Sequence, residues 1–335
     1  MSVYTAMVLR EAGKPLETER REIPVPKPGE ALVRLHYAAL NHRDLWMRKG
    51  AYGNVAGIPG VPGSDGYGIV EAVGSKNDSE RIDSKVVIFP SLDWGDDDTA
   101  PGPLWRILGL PDPGSFAEYI VVQVSQLFRA PDNLSPEESA SLPLAGLTAH
   151  RALFRRGGLK AGEKILITGI GGGVAQFLTQ FAVAAGAEIW VTSGSSEKIE
   201  AAKKLGAKGG VLYTSASWAD ELVQTAGHFD LCVDSAAGSG WNGICETLKP
   251  GGRLVFFGAT RGAGEIPMRK AFFKQISVLG TAMGSARDFQ AMLDFVQAKN
   301  VRPVIDSIFP LEEAEQALTR MDQGLQTGKI VLRIA

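Results

Sequence analysis

Cysteine and histidine are scarce in this chain of 335 residues, which contains two Cys and four His. Two thiols cannot form a disulfide framework or a four-cysteine zinc site, and the histidines lack the pairwise spacing of metal ligands. Acidic and basic residues nearly balance, at a formal net charge of −2. We therefore expect no basic field that would hold nucleic acid or an anionic membrane.

Long apolar runs are also absent. No window reaches the roughly 18 apolar residues of a membrane span, so we expect no membrane-spanning helix. The N-terminal sequence MSVYTAMVLREAGK carries charge before any long apolar run, and it predicts a first strand rather than a signal peptide. The expected location is cytoplasmic.

The chain is long enough for two domains, and it shows two patterns. Residues 1–143 contain short strand-like runs between prolines and glycines, namely ALVRLHYAAL, YGIVEAVG, KVVIFP and FAEYIVV. Residues 144–283 alternate runs such as KILIT, EIWVT and FDLCVDSA with helical patterns such as VAQFLTQFAVAAG. Residues 284–335 hold two helical patterns and a final strand, GKIVLRI. We predict an α/β protein with a β-rich domain and a doubly wound parallel sheet.

Four glycines fall within positions 169–173, between the strand KILIT and an amphipathic helix. Backbone N–H groups at a helix N-terminus attract phosphate, and glycine lets a pyrophosphate approach the backbone closely. Two frames of the Gly-x-Gly-x-x-Gly pattern are possible, from Gly169 to Val174 or from Ile170 to Ala175, and neither ends in glycine. The alternative is a flexible hinge. We predict a dinucleotide-binding turn formed by Gly171, Gly172, Gly173 and Val174.

The end of the next strand, EIWVT, bears on which dinucleotide binds. An NAD site places a carboxylate there to hold the ribose 2′-hydroxyl, but this chain has Ser193 and Gly194. Glu197 follows only within the next helix, beside Lys198. A 2′-phosphate would meet no repulsion and could bind Lys198 and the hydroxyl of Ser195, so we predict NADP(H). Alternatively, a serine at 195 or 196 is a helix N-cap and Lys198 is a surface residue.

Eight segments carry a further signal: ALNHRDLWMRKGAY, VPGSDGYGIVEAVG, GSFAEYIVV, LPLAGLTAHRAL, ITGIGGGVAQF, TSGSSEKIEAAKKLGA, RLVFFGAT and TGKIVL. In this order they resemble the medium-chain dehydrogenase/reductase superfamily, most closely its zinc-free quinone oxidoreductase-like branch. The resemblance covers essentially the whole chain. It implies a GroES-like catalytic domain formed by residues 1–143 and 284–335, and a Rossmann NADP-binding domain formed by residues 144–283. It also implies a homodimer, because late Rossmann strands often extend a partner's sheet in this family.

Zinc-binding members of the superfamily hold the metal through three places in the sequence. These are a Cys near the NHRD stretch, a His-Glu pair after Pro-Gly, and a Cys or Asp before the Rossmann domain. Here the places fall on Asn41, on the pair Ser64 and Asp65, and near Leu144. Asp65, even together with His42, cannot supply three firm zinc ligands, so we expect no metal.

The same resemblance implies further cofactor contacts. Quinone oxidoreductases surround the 2′-phosphate with a Gly, a Lys four positions later and a Tyr fifteen positions after that, which here are Gly194, Lys198 and Tyr213. Other contacts, mostly near the nicotinamide, are implied for Thr148, Phe257, Gly258, Ala259, Thr281, Met283 and Lys329. The alternatives are structural: Tyr213 is a packed strand aromatic, Thr148 starts a helix, and Lys329 is solvated.

Catalysis without a metal needs hydrogen bonds that steady a developing oxyanion and a group that delivers a proton. Asn41 can donate an amide N–H, and Asp44 can hold a water or position a neighbour. The resemblance implies that Tyr52 matches the proton donor of related enoyl thioester reductases. Alternatively, Asn41 and Asp44 stabilise the loop as turn residues, while Tyr52 and Ser64 only wall the substrate site.

These features predict an NADPH-dependent oxidoreductase that transfers hydride to a quinone, an enone or another activated alkene. The expected partner is thus a small-molecule carbonyl or quinone substrate. Two alternatives remain open: an alcohol/aldehyde dehydrogenase of the zinc type, and a non-catalytic NADPH-binding protein.

Overall fold

The computed structural model describes residues 2–53 and 56–335. The chain divides into two compact units: a β-rich unit of Met1–Ala145 with Gly284–Ala335, and a parallel-sheet unit of Gly146–Met283. The boundaries expected after residues 143 and 283 lie within two residues of this division. Among the described residues, no helix is both long and apolar enough to cross a membrane.

The secondary structure follows the two patterns of the sequence. The strands are β1 (Val3–Val8), β2 (Glu17–Glu22), β3 (Glu30–Ala39), β4 (Asp65–Val73), β5 (Lys85–Ile88), β6 (Ser91–Leu92), β7 (Arg106–Ile107), β8 (Tyr119–Gln123), β9 (Leu127–Arg129), β10 (Lys164–Ile167), β11 (Glu188–Ser193), β12 (Gly209–Leu212), β13 (Phe229–Asp234), β14 (Leu248–Phe256), β15 (Ser277–Gly280), β16 (Ile305–Pro310) and β17 (Lys329–Arg333). The α-helices are α1 (His42–Arg48), α2 (Pro136–Ser141), α3 (Pro143–His150), α4 (Gly173–Ala184), α5 (Ser196–Lys204), α6 (Trp218–Ala226), α7 (Trp241–Thr247), α8 (Met268–Phe273), α9 (Ala286–Lys299) and α10 (Ala314–Asp322).

The β-rich unit is built around a seven-stranded sheet. Its order is β16-β17-β3-β4-β5-β9, with β8 also paired to β3. One core cluster includes Val33 and Leu35 of β3, Val70 of β4 and Ile88 of β5, all fully buried. Burying each such side chain contributes about 1.5–3 kcal/mol. Because β17 pairs antiparallel with β3, the end of the chain completes the sheet that its first part begins.

A hairpin at the start of the chain includes a strand that the sequence did not predict. β1 pairs antiparallel with β2 over six residues. The β2 sequence ETERRE has no apolar residue, so it lacks the alternation that signals a half-buried strand. Pairing with β1, whose Tyr4, Ala6 and Val8 are buried, is what fixes β2 in an extended conformation.

The parallel-sheet unit confirms the predicted doubly wound fold. Its strand order is β12-β11-β10-β13-β14-β15, and neighbouring strands pair in parallel. The first strand of this unit, β10, lies in the middle of the sheet. The chain then adds β11 and β12 on one side of β10, and β13, β14 and β15 on the other side. This reversal between β10 and β13 opens a crevice at the carboxyl ends of the strands, where ligands of such sheets bind.

Helix α4 packs as its sequence predicts. Phe177, Leu178, Phe181 and Ala182 are buried, which is the apolar face indicated by their spacing. The helix ends at Ala184, and Gly186 follows with φ +79°, a conformation that favours glycine. The strand KILIT and this helix therefore hold the glycine turn between them at a fixed place on the sheet edge.

Candidate functional site

The glycine turn joins β10 to α4 at the carboxyl edge of the parallel sheet. Gly169 has φ +66°, a left-handed conformation that side chains disfavour. Gly172 is the N-cap residue of α4, and Gly173 is its first helical residue. A Cβ atom at Gly171 would lie 2.9 Å from Nζ of Lys198, so this glycine leaves room for the lysine side chain at the turn.

The start of α4 offers backbone donors to an anion. Gln176 N–H donates to Gly172 O at 3.1 Å, whereas the N–H groups of Gly173, Val174 and Ala175 precede the first acceptor that a helix can supply. The positive end of the helix dipole points the same way as these donors. Ala175 is buried, so it can take the packing place of the missing third glycine. The turn therefore fits a pyrophosphate.

A buried carboxylate supports this edge of the sheet, and the sequence interpretation missed it. Asp234, the last residue of β13, accepts hydrogen bonds from the Ala236 and Ala237 N–H groups and from Trp241 Nε1. Its other oxygen accepts from Oγ1 of Thr168, at the end of the adjacent β10. Asp234 thus ties the loop after β13 to the strand that carries the glycine turn. An Asp at the end of FDLCVD, next to the sheet reversal, was the available signal.

The end of β11 lacks a carboxylate, as its sequence indicates. Ser193 is buried, and its Oγ accepts from Ser195 N–H at 3.1 Å. Ser195 is the N-cap residue of α5, and its Oγ accepts from Lys198 N–H at 3.4 Å. The N-cap alternative for Ser195 is therefore confirmed. The Ser195 hydroxyl also donates to the Glu197 carboxylate, which lies one residue into α5 rather than at the strand end.

Gly194 and Tyr213 lie against each other. The sequence pattern predicts Tyr213 as the last residue of its strand, but β12 ends at Leu212 and Tyr213 directly follows it. The Tyr213 N–H donates to Ser193 O at 3.0 Å. A Cβ atom at Gly194 would lie 2.7 Å from the Tyr213 hydroxyl oxygen. The guanidinium carbon of Arg261 lies 4.3 Å from the centroid of the Tyr213 ring. Arg261 was not identified from the sequence, although its position in the loop after a parallel strand was a usable signal.

The residues after β14 form a closely packed loop. Phe257 N–H donates to Asp234 O at 3.1 Å. A Cβ atom at Gly258 would lie 2.7 Å from Ser235 O, so the two loops approach each other at a distance that requires glycine. Ala259 is exposed. This part of the edge is consistent with the contacts predicted near the nicotinamide, because Gly258 and Ala259 leave the backbone accessible.

Thr281 carries an unsatisfied hydroxyl next to β15. Its N–H donates to Phe256 O at 2.9 Å, but its buried Oγ1 finds no hydrogen-bond partner among the described residues. Met283 is buried with φ +47°. Thr148 is buried and occupies the sixth position of the eight-residue α3, so the helix-start alternative is wrong for it. A cofactor group near Thr281 would satisfy its hydroxyl.

In the β-rich unit, Asn41 and Asp44 act together at the start of α1. Asn41 is the N-cap residue, and its N–H donates to Oδ2 of Asp44 at 2.8 Å. Burial raises the pKa of Asp44, and the opposing effect of the Arg43 guanidinium is smaller, so the pKa is about 6. The second oxygen, Oδ1, has no hydrogen-bond partner within the part of the chain that the structure describes. Asn41 and Asp44 thus both stabilise the turn at the start of α1, as the structural alternative states. Asp44 Oδ1 remains a buried acceptor without a partner among the described residues.

Lys329 is an internal residue, so the solvated alternative is wrong. Its side chain is 4% exposed. Its ammonium donates to Leu40 O and Asn41 Oδ1, each at 2.8 Å, and to Asp65 Oδ2 at 2.9 Å. The Asn41 amide donates to the same Asp65 oxygen at 3.0 Å, and Leu144 N–H donates to the other at 2.8 Å. These three acceptors use all three N–H donors of the ammonium. A direct contact of Lys329 with a cofactor stays a prediction.

The side chains at the positions where zinc-binding relatives carry metal ligands do not fit zinc. Asn41 provides an amide, and Ser64 Oγ instead donates to Leu108 O at 2.7 Å and accepts from Arg43 Nη1 at 2.9 Å. Asp65 is the one carboxylate, and an ammonium already neutralises it. Across residues 2–53 and 56–335, no group of three or more His, Cys, Asp or Glu side chains is arranged to hold a metal ion. Zinc requires more anionic or imidazole ligands than this cluster supplies.

Arg43 links Tyr52 to the same region. The Arg43 guanidinium lies 5.3 Å from the centroid of the Tyr52 ring. Its Nη1 donates to Leu108 O and Gly109 O at 2.9 Å. Tyr52 is 42% exposed. The three residues predicted for catalysis thus lie in one region: Asn41 and Asp44 bond directly, and Tyr52 packs on the arginine between them in sequence.

Comparisons with known proteins match both units. Residues 27–132 match the family described as alcohol dehydrogenase GroES-like domain, and residues 173–298 match the family described as zinc-binding dehydrogenase. The chain is 35% identical to a zinc-type alcohol dehydrogenase-like protein of Schizosaccharomyces pombe, over 95% of each chain. It is 29% identical to the quinone oxidoreductase of Mus musculus, over 92% of this chain and 91% of that one. The crystal structure of an NAD-dependent alcohol dehydrogenase superposes with a TM-score of 0.92 at 34% identity, covering 99% of this chain and 100% of the other.

Proposed function

Because the chain belongs to the medium-chain dehydrogenase/reductase superfamily and is an oxidoreductase of that family, we propose that it uses NADPH to reduce a quinone, an enone or another activated alkene. When bound, NADPH supplies the hydride. The single observation that carries the cofactor assignment is the end of β11, where Gly194 faces Tyr213 and Lys198 reaches the glycine turn without a carboxylate at the strand end.

The chemistry of these residues suits a 2′-phosphate better than a bare ribose. A lysine ammonium and a tyrosine hydroxyl both donate hydrogen bonds to phosphate, and Lys198 adds a charge-assisted bond. A 2′-hydroxyl would need an acceptor, but β11 ends in Ser193 rather than a carboxylate, and Glu197 lies within α5. The similar NAD-dependent alcohol dehydrogenase makes NADH the competing cofactor.

Substrate activation falls to the β-rich unit. Lys329 and Asp65 hold the Asn41 side chain by both its oxygen and its nitrogen, which leaves one amide N–H to donate to a substrate oxygen. A donor that is already oriented stabilises a developing oxyanion without reorganising. Tyr52 is the proposed proton donor, because the residue is 42% exposed and the nearby Arg43 cation stabilises charge on the ring.

Binding titrations test the cofactor assignment. We expect wild-type protein to bind NADPH more tightly than NADH by calorimetry. Lys198→Ala should weaken NADPH by about tenfold or more, the effect of one lost charge-assisted bond, and leave NADH within about twofold. Lys203→Ala is the matched control on the same helix, since Lys203 pairs with Glu200. Tighter binding of NADH by the wild type would refute the assignment.

Turnover assays test the reaction. NADPH oxidation is measured against quinones, enones, enoyl thioesters and aldehydes, with Tyr52→Phe beside wild type. We expect activity with at least one activated alkene or quinone, and a loss of about 10²-fold or more in kcat for Tyr52→Phe if the tyrosine delivers the proton. Unchanged kcat would remove Tyr52 from the mechanism. NADPH binding without oxidation by any acceptor would favour a non-catalytic binding protein.

An alcohol/aldehyde dehydrogenase is the second candidate, favoured by the names of two similar proteins, the zinc-type alcohol dehydrogenase-like protein and the NAD-dependent alcohol dehydrogenase. That activity requires a metal or an equivalent acid at the carbonyl, and Asn41 with Asp65 does not supply a zinc site. Metal analysis of the purified protein separates the candidates. Zinc near one equivalent per chain, together with alcohol oxidation, would replace the leading proposal.

The proposed assembly is a homodimer formed through the parallel sheet. β15 is the edge strand on its side of that sheet, so its outer backbone groups are available to a second copy. On the neighbouring α8, Met268, Phe272 and Phe273 are between 62% and 70% exposed. Light scattering after size-exclusion chromatography should give twice the chain mass, and a monomer would contradict the proposal.

A further inference from the structure

Arg261 is placed across the carboxyl edge of the parallel sheet. Its backbone N–H donates to Ala236 O at 2.8 Å, which fixes the residue beside the end of β13. Its guanidinium carbon lies 4.3 Å from the centre of the Tyr213 ring, directly after β12. Three strand spacings, about 14 Å, separate β13 from β12. The Arg261 and Tyr213 side chains together therefore span the ends of β10 and β11.

The residues beneath this span are those expected to meet the adenosine end of a dinucleotide. β10 leads into the glycine turn, where Lys198 lies against Gly171. β11 leads into Gly194, which faces the Tyr213 hydroxyl. Two cations and one phenol hydroxyl thus border the same pair of strand ends.

Arg261 has no internal role that would account for its charge. The side chain is exposed, and the described residues include no carboxylate paired with it. Other exposed arginines do pair: Arg302 bonds Glu138, for example. Stacking on Tyr213 restricts the arginine without using its N–H donors, because a cation on an aromatic face leaves the edge of the guanidinium free.

We infer that Arg261 is a specificity-determining residue that binds the cofactor 2′-phosphate, held in place by Tyr213. This inference rests on the proposed NADPH dependence. A guanidinium fork matches phosphate oxygens in a bidentate arrangement, and it remains charged at any physiological pH. Lys198 belongs to α5 and Arg261 to the loop after β14, so the phosphate is bound by cations from two different segments.

Calorimetric titration with NADPH and with NADH tests the inference, and it requires no turnover. Arg261→Gln should raise the Kd for NADPH by about tenfold or more and change the Kd for NADH by less than about twofold. Arg261→Lys, which keeps the charge but not the bidentate fork, should fall between wild type and Arg261→Gln. The matched control is Arg269→Gln, because Arg269 is stacked 5.9 Å from the Phe273 ring in the same unit.

Other results of these titrations would contradict either the role of Arg261 alone or the proposed cofactor as well. Equal weakening of NADPH and NADH by Arg261→Gln would mean that the residue only shapes the loop, and it would overturn the inference. Unchanged NADPH affinity in Arg261→Gln, with a selective loss in Lys198→Ala, would overturn the inference and leave the proposed cofactor standing. A wild type without preference for NADPH, and with no selective loss in Lys198→Ala, would overturn the proposed cofactor together with the inference.

Discussion

Replacing Lys329 by Met tests the buried polar cluster that orients Asn41. The substitution removes the ammonium from Asp65, whose side chain is fully buried. Breaking a buried ion pair by removing one partner costs about 3–5 kcal/mol, because the remaining charge is left uncompensated. We expect the lower end, about 3 kcal/mol, since the Asp65 carboxylate keeps two donors, Asn41 Nδ2 and Leu144 N–H.

Amide hydrogen exchange measures this loss where it occurs. Leu40 N–H donates to Ile330 O at 3.0 Å, so peptides covering β3 and β17 report opening of this part of the sheet. A loss of about 3 kcal/mol corresponds to roughly hundredfold faster exchange at amides that exchange by opening. Lys49→Met is the control: Lys49 pairs with Asp322 on the surface, where such pairs contribute about 0–1 kcal/mol.

A double-mutant cycle isolates the ion pair from the loss of side-chain packing. In an Asp65→Asn background no charge is left behind, so Lys329→Met should cost about 2 kcal/mol less than it does in wild type. Two results would refute the reasoning. One is the same cost in both backgrounds, and the other is an exchange rate in Lys329→Met that matches Lys49→Met.

Three further substitutions probe other parts of the structure. Asp44→Asn tests the raised pKa of Asp44, which is about 6 in the folded protein against 3.8 for the unfolded chain. Because the folded state holds this proton more tightly, the wild type should lose stability as pH rises from about 4 through 6. The loss relative to the Asn variant, which stays neutral, is about 3 kcal/mol. Denaturation series across this pH range check it, and parallel curves for the two proteins would contradict it. Gly171→Ala must displace the Lys198 side chain, so calorimetry should show weaker NADPH binding with nearly unchanged thermal stability. An equal loss of NADH affinity would mean that the substitution disturbs the glycine turn rather than the position of Lys198. Gly258→Ala brings a Cβ to 2.7 Å from backbone oxygen of Ser235, so it should lower the melting temperature by a few degrees, about 1–3 kcal/mol, and an unchanged melting temperature would show that the loops separate freely.

Much of the fold was predictable because it depends on local patterns. Alternating strand and helix signals determined the parallel sheet, and the apolar spacing of α4 identified its buried face through Phe177 and Phe181. Glycine at positions that need positive φ, such as Gly169, located the turn. The charged strand β2 was missed for the complementary reason, since only its pairing with β1 makes it a strand.

The candidate site divides in the same way. The turn residues and the missing carboxylate after β11 follow from short stretches of sequence, whereas the environment of Lys329 does not. Its ion-pair partner Asp65 is 264 residues away in the chain. The stacking of Arg261 on Tyr213 likewise joins loops from opposite sides of the sheet reversal.

The sequence by itself determined most of the elements, where the glycine turn lies and that Lys198 could bind phosphate, because these properties depend on neighbours a few residues apart. Only the tertiary structure decided that Lys329 is buried against Asp65, that burial raises the pKa of Asp44, and that Arg261 reaches Tyr213. Burial and ion pairing depend on distances in space, and residues far apart in sequence set those distances only after the sheets have assembled.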